Sequence, residues 1–400
     1  MKVSFITASL ALFSLLFTGC RSILPVASTE PMPVMAWIGP PAEQTTPERY
    51  RELADAGFNI SFSGFPNADQ FAQALEVARE AGVKLMVSCP ELQSDPEGTV
   101  RRFMGHSAVA GYYLRDEPNA RDFKALGEWV RRVRAVDDAH PCYINLFPTY
   151  ANAEQLGTPT YREHVARFLA EVPVQVLSFD HYPIVGEQLR ADWYENLEII
   201  AASARQARLP FWAFALSVAH NPYPVATVDG LRLQVFSNLA YGAAAIQYFT
   251  YWTPVSAQWN FHRAPLEADG TRTEVYDRVR TVNAELQTLA PVFRRSEVVR
   301  VAHAGEPLPR GTQRYEPASP VMALETGTRG AVISRLRNDT QEFLVVVSRE
   351  LHRTMDLSIR FEPNAKVHEF TKQGQLLRLT AGKFADQVTP GDVRVFSWSR

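Results

Sequence analysis

The amino-acid sequence predicts an α/β protein, a (β/α)8 barrel followed by a C-terminal antiparallel β-sandwich, on three observations. Between Pro33 and Leu289, eight short apolar runs alternate with amphipathic stretches of helical spacing, the pattern of βα units around a parallel sheet. Closure of eight such units satisfies every strand edge, and no Gly-x-Gly-x-x-Gly follows any run, as an open dinucleotide-binding sheet would require. Beyond Phe293 the helical spacing gives way to short alternating runs separated by turn residues. The 400 residues accommodate a barrel of roughly 250 residues and a second module.

The expected barrel strands are Val34 to Gly39, Ile60 to Phe65, Lys84 to Ser88, Gly111 to Arg115, Cys142 to Leu146, Val174 to Phe179, Phe211 to Ala215 and Ala245 to Tyr251. Helices are expected at Thr46 to Ala56, Asp69 to Ala81, Phe123 to Val136 and, last in the barrel, Glu274 to Leu289. In the second, Phe71, Leu75 and Ala78 form one stripe and Gly82 stops it. Thr45-Thr46-Pro47-Glu48 offers capping hydroxyls followed by a first-turn proline. The sandwich runs are Ala331 to Leu336, Glu342 to Val347, Met355 to Phe361 and Val393 to Trp398. These elements divide the chain into a signal segment 1–20, a linker 21–32, a barrel 33–293 and a sandwich 294–400.

The start, Met1-Lys2, an apolar stretch from Val3 to Phe17, then Thr18-Gly19-Cys20, reads as a targeting segment of bacterial lipoprotein type. Cleavage would leave Cys20 first in the chain and lipidated, making the protein exported and membrane-anchored; the alternative is an ordinary secretory signal or an uncleaved anchor, and either way the chain is exported. With 41 basic and 43 acidic side chains there is no footprint for a nucleic-acid partner. Cys89 and Cys142 fall on non-neighbouring strands, so no disulfide is expected. No Cys-His cluster has metal-ligand spacing, and neither metal nor cofactor is implied.

The active face of such a barrel is the C-terminal rim of its strands. Read in order, that rim collects Trp37, then Ser63 and Asn67, Glu91, Asp116 and Glu117, Asn145, Asp180-His181-Tyr182, Ser217 and His220, Tyr251-Trp252 and the loop residue Trp259. Aromatics that stack on sugar CH faces, interleaved with carboxylates and amides that serve hydroxyls, point to a carbohydrate. The most informative run is Gly111 to Asn119, where an apolar strand ends on Asp116-Glu117 and is stopped by Pro118. Strict alternation puts Tyr113, Arg115 and Glu117 on one face and Tyr112, Leu114 and Asp116 on the other, so only one carboxylate should point inward. Glycosidic cleavage needs one protonated and one ionised carboxyl; Glu117 fits the acid, its pKa raised by an ionised Asp116 and by burial.

On these residues the chain resembles the large superfamily of (β/α)8 glycoside hydrolases called clan A. Within it, the chain looks most like beta-galactosidase-like members of family 42 and related exported lipoproteins of Bacteroidetes type, over residues 33 to 293. Asp116-Glu117-Pro118 matches the Asn-Glu-Pro-type motif ending the fourth strand, with aspartate replacing asparagine. The resemblance implies Glu117 as acid/base and Tyr182 as a tyrosine set against the nucleophile. It departs at the seventh strand, where the family places a nucleophilic glutamate and this chain reads Phe211 to His220 without a carboxylate. Asp180, ending the sixth strand, is the replacement read from the sequence, ahead of Glu91, Glu267 and Glu274.

The expectation is therefore a glycoside hydrolase with Glu117 and Asp180 catalytic, and with Asp116, Trp37, Asn145, His181, Tyr182, Tyr251, Trp252 and Trp259 on the substrate. Other polysaccharide-degrading proteins are conceivable partners. The rival is a non-catalytic surface glycan-binding lipoprotein on the same scaffold, favoured by the empty seventh strand; a purely structural lipoprotein is the third reading.

Overall fold

The computed structural model describes residues 30–400. The expected signal segment 1–20, Cys20 and the linker as far as residue 29 lie outside the described residues.

Eight parallel strands close into a barrel: β1 (Val34–Trp37), β2 (Ile60–Phe62), β3 (Lys84–Val87), β4 (Val109–Asp116), β5 (Cys142–Leu146), β6 (Leu177–Phe179), β7 (Phe211–Leu216) and β8 (Ala245–Phe249), with β8 paired back to β1. Helices α1 (Pro47–Asp55), α2 (Ala68–Glu80), α3 (Pro96–Phe103), α4 (Phe123–Arg134), α5 (Tyr161–Glu171), α6 (Trp193–Ala207), α7 (Val228–Ala240) and α8 (Glu274–Phe293) surround it. Thr46 caps α1 ahead of Pro47, its hydroxyl accepting from the Arg49 amide. The expected runs overshoot several strand ends. The sixth begins at Leu177, because the Val174 amide turns back onto the Val172 carbonyl at 2.9 Å. The last helix continues beyond Leu289, through Pro291 in its final turn, to Phe293.

Alternation sorts the barrel side chains. Met35, Trp37, Phe62, Met86, Tyr143, Trp212 and Phe214 fill the interior, while Val34, Ala36, Ile144, Leu146, Leu177, Ala213 and Tyr248 pack outward on the helices.

The C-terminal strands form a six-stranded sheet (297–304, 331–337, 341–348, 393–399, 368–370 and 376–378, in that order) and a three-stranded sheet (321–325, 355–361 and 383–388). All four expected strands are present. The strand Glu297–Ala304 was not legible because a bulge between Val298 and Arg300 breaks its alternation, and Lys383–Val388 because most of its residues are exposed. The large sheet is buried on both faces. Leu344, Val346, Phe396 and Trp398 pack against the small sheet, while Phe343, Val345, Val347, Val393 and Val395 join the barrel's core.

That second interface explains α7, in which ten of thirteen residues are buried, Gln234, Ser237 and Asn238 among them, because it is covered by β7 and α8 on one side and by strands 331–337 and 341–348 on the other. Gly391, at φ +64°, brings the sandwich backbone so close to the carbonyl of Asp229 that a Cβ there would stand 2.1 Å from it. Arg232 on α7 forks onto Glu285 of α8 at 2.8 and 2.5 Å, and Lys372 of the sandwich reaches Glu285 at 3.7 Å and Asp392 at 2.5 Å.

No helix among the described residues is long and apolar enough to cross a membrane. Cys89 and Cys142 are free thiols.

Removing one partner of this half-buried network leaves the others uncompensated, so Glu285→Ala is expected to cost about 2–4 kcal/mol of stability. Urea denaturation of the single variants Glu285→Ala and Arg232→Ala and of the double variant checks this, with the double costing much less than the sum.

Candidate active site

Asn145 on β5 organises the mouth of the barrel. Its Nδ2 donates to Asp116 Oδ1 at 3.1 Å and to Asp180 Oδ1 at 2.9 Å. The orientation of the amide is fixed from below: the Ser178 hydroxyl donates to Asn145 Oδ1 at 2.9 Å and accepts from Gln247 Nε2 at 2.9 Å, with the Tyr143 hydroxyl 3.1 Å away. Four inward-pointing residues from strands β5, β6 and β8 thus form a polar chain through the barrel, and it ends on carboxylates.

Both carboxylates at the end of β4 reach the site, which corrects the alternation drawn from the sequence. The pairing of β4 with β5 slips between Tyr113 and Arg115, and that bulge turns Arg115 out to solvent and Asp116 in toward Asn145. The next residue, Glu117, has φ +42°, a left-handed conformation costly for a side-chain-bearing residue, while its amide still bonds the Asn145 carbonyl at 2.8 Å. The bulge and the left-handed residue together bring Glu117 to the mouth beside Asp116 and Asp180, close enough that the carboxyls influence one another's protonation.

Burial, and after it the charge of Asp116, raises Glu117 to about 7, while the hydrogen bond with Asp180 opposes the rise. Asp180 is pushed well above the usual carboxylate range by burial, then by Glu117 and Asp116. Burial also raises Asp116, against the Asn145 hydrogen bond and the charge of Arg115.

Around the acids lies an aromatic floor: Trp37 against Phe62 at 4.9 Å, Phe62 against Tyr113 at 4.1 Å, Trp37 against Phe249 at 5.7 Å and Tyr182 stacked on Phe249 at 5.5 Å. The Trp37 indole nitrogen is buried without a partner in the protein. Trp259 stands at the rim, 51% exposed, its ring edge-on to His220 at 5.8 Å.

Three expected site residues lie elsewhere. β8 ends at Phe249; the amides of Tyr251 and Trp252 both turn onto the Ile38 carbonyl, at 3.1 and 3.0 Å, and this carries the two rings over β1 into the helical layer. There Tyr251 packs on Phe58, and Trp252 lies under the Arg49 guanidinium with its indole donating to the Ala268 carbonyl at 3.3 Å. His181 points away from Asp180, is 1% exposed, and sits 3.5 Å from Asp192 with Tyr150 edge-on at 5.0 Å, supporting that tyrosine from behind. The weaker carboxylate candidates have structural work. Glu91 caps α2 through the Ala68 amide, Glu267 accepts from the Arg263 amide and Thr253, and Glu274 pairs with Arg263.

Sequence reasoning missed the polar chain of Tyr143, Ser178 and Gln247, whose signal was an inward position on a barrel strand. It also missed Tyr150, Arg190 and Tyr223, on loops after β5, β6 and β7. The end of β7 carries no acid: Leu216 and Val218 pack with Ala264 against Tyr182 and Phe249. A cavity of about 480 Å³ lies beside Leu216, between the 224–230 loop and Leu351 and His352 of the sandwich, and none of the three acids lines it. Among the described residues no group of three or more His, Cys, Asp or Glu is arranged to hold a metal ion.

The family model of glycoside hydrolase family 42, described as beta-galactosidase, matches residues 147–289, a stretch that includes Asp180 and begins after Glu117. No curated protein matches the sequence. Among solved structures the fold is shared with a catalytic mutant of a GH42 beta-galactosidase from G. stearothermophilus, at 9% identity over 95% of this chain and 100% of that one, with a TM-score of 0.64. It is shared also with the beta-galactosidase from Bacillus circulans sp. alkalophilus, at 10% identity over 92% of this chain and 99% of that one, TM-score 0.62. The beta-galactosidase from the psychrophilic Marinomonas ef1 aligns at 12% identity over 65% of this chain, TM-score 0.47, and this chain spans 60% of its length. The barrel is thus of the kind found in glycoside hydrolases, and the family match supports a glycosidase acting on a carbohydrate.

Because Glu117 and Asp180 bind protons more tightly in the folded state than in the unfolded one, the site's contribution to stability falls as pH rises from about 4 through 7. Asp180→Asn removes the source of the conflict. Calorimetry is expected to show its Tm roughly 1–3 °C above wild type at pH 8 and level with it, or below, at pH 4.5.

Proposed function

We propose that the protein is an exported, lipid-anchored glycoside hydrolase with Glu117 as general acid/base and Asp180 as the second carboxylate. The observation that carries this reading is the convergence of Asp116 and Asp180 on Asn145 Nδ2 with Glu117 beside them at the rim of an aromatic-floored barrel, where burial and the Asp116 charge push Glu117 up to about 7. Glu117 gives its proton to the glycosidic oxygen as the C1–O bond breaks. Asp180, held by Asn145 and then ionised, takes the proton of the attacking water or stabilises the cationic sugar. Trp37, Tyr182 and Trp259 serve as sugar platforms, and Asp116 and Asn145 as partners for hydroxyls.

The second reading, a glycan-binding protein without turnover, is favoured by the apolar end of β7, where Leu216 and Val218 occupy the neighbourhood of the expected nucleophile. Anchoring through Cys20 rests on the sequence of residues 1–20 alone.

Glu117→Gln is expected to lower kcat by about 10²–10⁴-fold on nitrophenyl glycosides or polysaccharides while the protein still folds. A fully active Glu117→Gln enzyme removes the assignment, and glycan binding without release by wild type replaces it with the second reading. In the wild type, activity should fall as pH rises through about 7. Asp116→Asn removes the charge that helps hold the Glu117 proton, so the alkaline limb moves to lower pH. Metabolic labelling with radioactive palmitate, present in wild type and absent in Cys20→Ser, tests the anchor.

A further inference from the structure

Arg190 is the cation of the barrel mouth that nothing described so far employs. It follows the two-stranded ribbon Ile184–Val185 and Gln188–Leu189 after β6, closed by its own amide on the Pro183 carbonyl at 2.8 Å. Its guanidinium lies over the Tyr150 ring at 4.2 Å and near Tyr223 at 5.9 Å. Of its five side-chain donors one is used, Nη2 to the Tyr223 hydroxyl at 3.1 Å, and Nε is buried without a partner. Among the described residues no carboxylate pairs with it. Nearby Asp192 is engaged elsewhere, by His181 at 3.5 Å and the Thr149 hydroxyl at 2.9 Å.

Arg190 occupies the sector of the rim adjoining the acids: Tyr150, which underlies it, packs edge-on to His181, the residue after Asp180, at 5.0 Å, and feels the Asp180 charge. Tyr150 remains 37% exposed, so this sector is open. A half-buried guanidinium held 4.2 Å over an aromatic ring, with most of its donors unclaimed, matches a planar or tetrahedral oxyanion and is poorly matched to neutral hydroxyls.

We propose that Arg190, on its platform of Tyr150 and Tyr223, binds an anionic substituent of the substrate, a uronate carboxylate or a sulfate ester, on the sugar next to the acid pair. This deepens the glycosidase reading and rests on it for turnover, though not for binding.

The test compares nitrophenyl β-galactoside, β-galacturonide and 6-sulfo-β-galactoside as substrates of wild type, Arg190→Gln and Arg190→Lys, each checked for an unchanged Tm. Binding of galacturonate, galactose 6-sulfate and galactose to Glu117→Gln and to Glu117→Gln/Arg190→Gln is measured by calorimetry. The expected result is at least a 10-fold preference for one anionic sugar over galactose, lost in Arg190→Gln, partly kept in Arg190→Lys, with neutral-sugar parameters unchanged; which anion is preferred separates uronate from sulfate. Equal or better handling of the neutral sugar by wild type, or an equal loss for all sugars in Arg190→Gln, overturns the proposal. Arg190-dependent anion binding with no turnover of any glycoside upholds this inference and defeats the hydrolase reading. Turnover of neutral galactoside without discrimination does the reverse.

Discussion

Three carboxyl groups occupy the mouth of this barrel, and a single amide, Asn145 Nδ2, has two hydrogens to offer them. The rest of the site follows from that shortage. Asp116 and Asp180 each receive one hydrogen, and Glu117 beside them receives none from this amide, while burial and the Asp116 charge push it up to about 7. In water three neighbouring carboxylates would simply ionise. Here the aromatic floor withholds solvent, so charge repulsion and desolvation act together and the proton stays. The polar chain from Gln247 through Ser178 is as necessary as the acids, because it stops Asn145 from turning its oxygen toward them.

The backbone bears the cost of this crowding. A bulge and a left-handed glutamate in consecutive positions at the end of β4 are an expensive way to finish a strand, and they bring two adjacent side chains to the same place. A regular strand would have delivered one carboxylate to the site and the other to the helices. Local conformation and electrostatics are thus both spent on the same few atoms, and stability is lower for it.

The barrel was legible in the sequence because period and punctuation repeat eight times, and the acid run because Pro118 stops its strand. Asn145, Asp180 and Tyr182 could be placed at strand ends by counting. What counting could not supply was any departure from period two. The bulge at Arg115 reversed the expected face of Asp116, and the turn of Tyr251 and Trp252 onto Ile38 removed both rings from the mouth. Tyr150, Arg190 and Tyr223 were invisible for a different reason: each lies on a loop whose path is set by tertiary contacts, so neither spacing nor alternation marks it. The burial of α7 on all its faces likewise has no explanation until the sandwich is seen to cover its outer face.

That helix has a mechanical implication. Its Gln234 accepts a bond from the Leu216 amide at 2.9 Å, at the very end of β7, while neighbouring residues of the same helix carry the sheet of the C-terminal module. Topology counts two modules, but a continuous apolar core runs across their interface, so the two are expected to unfold together. The sandwich is in effect the outermost layer of the barrel wall, and displacement of its sheet would be felt at the rim where the sugar must sit.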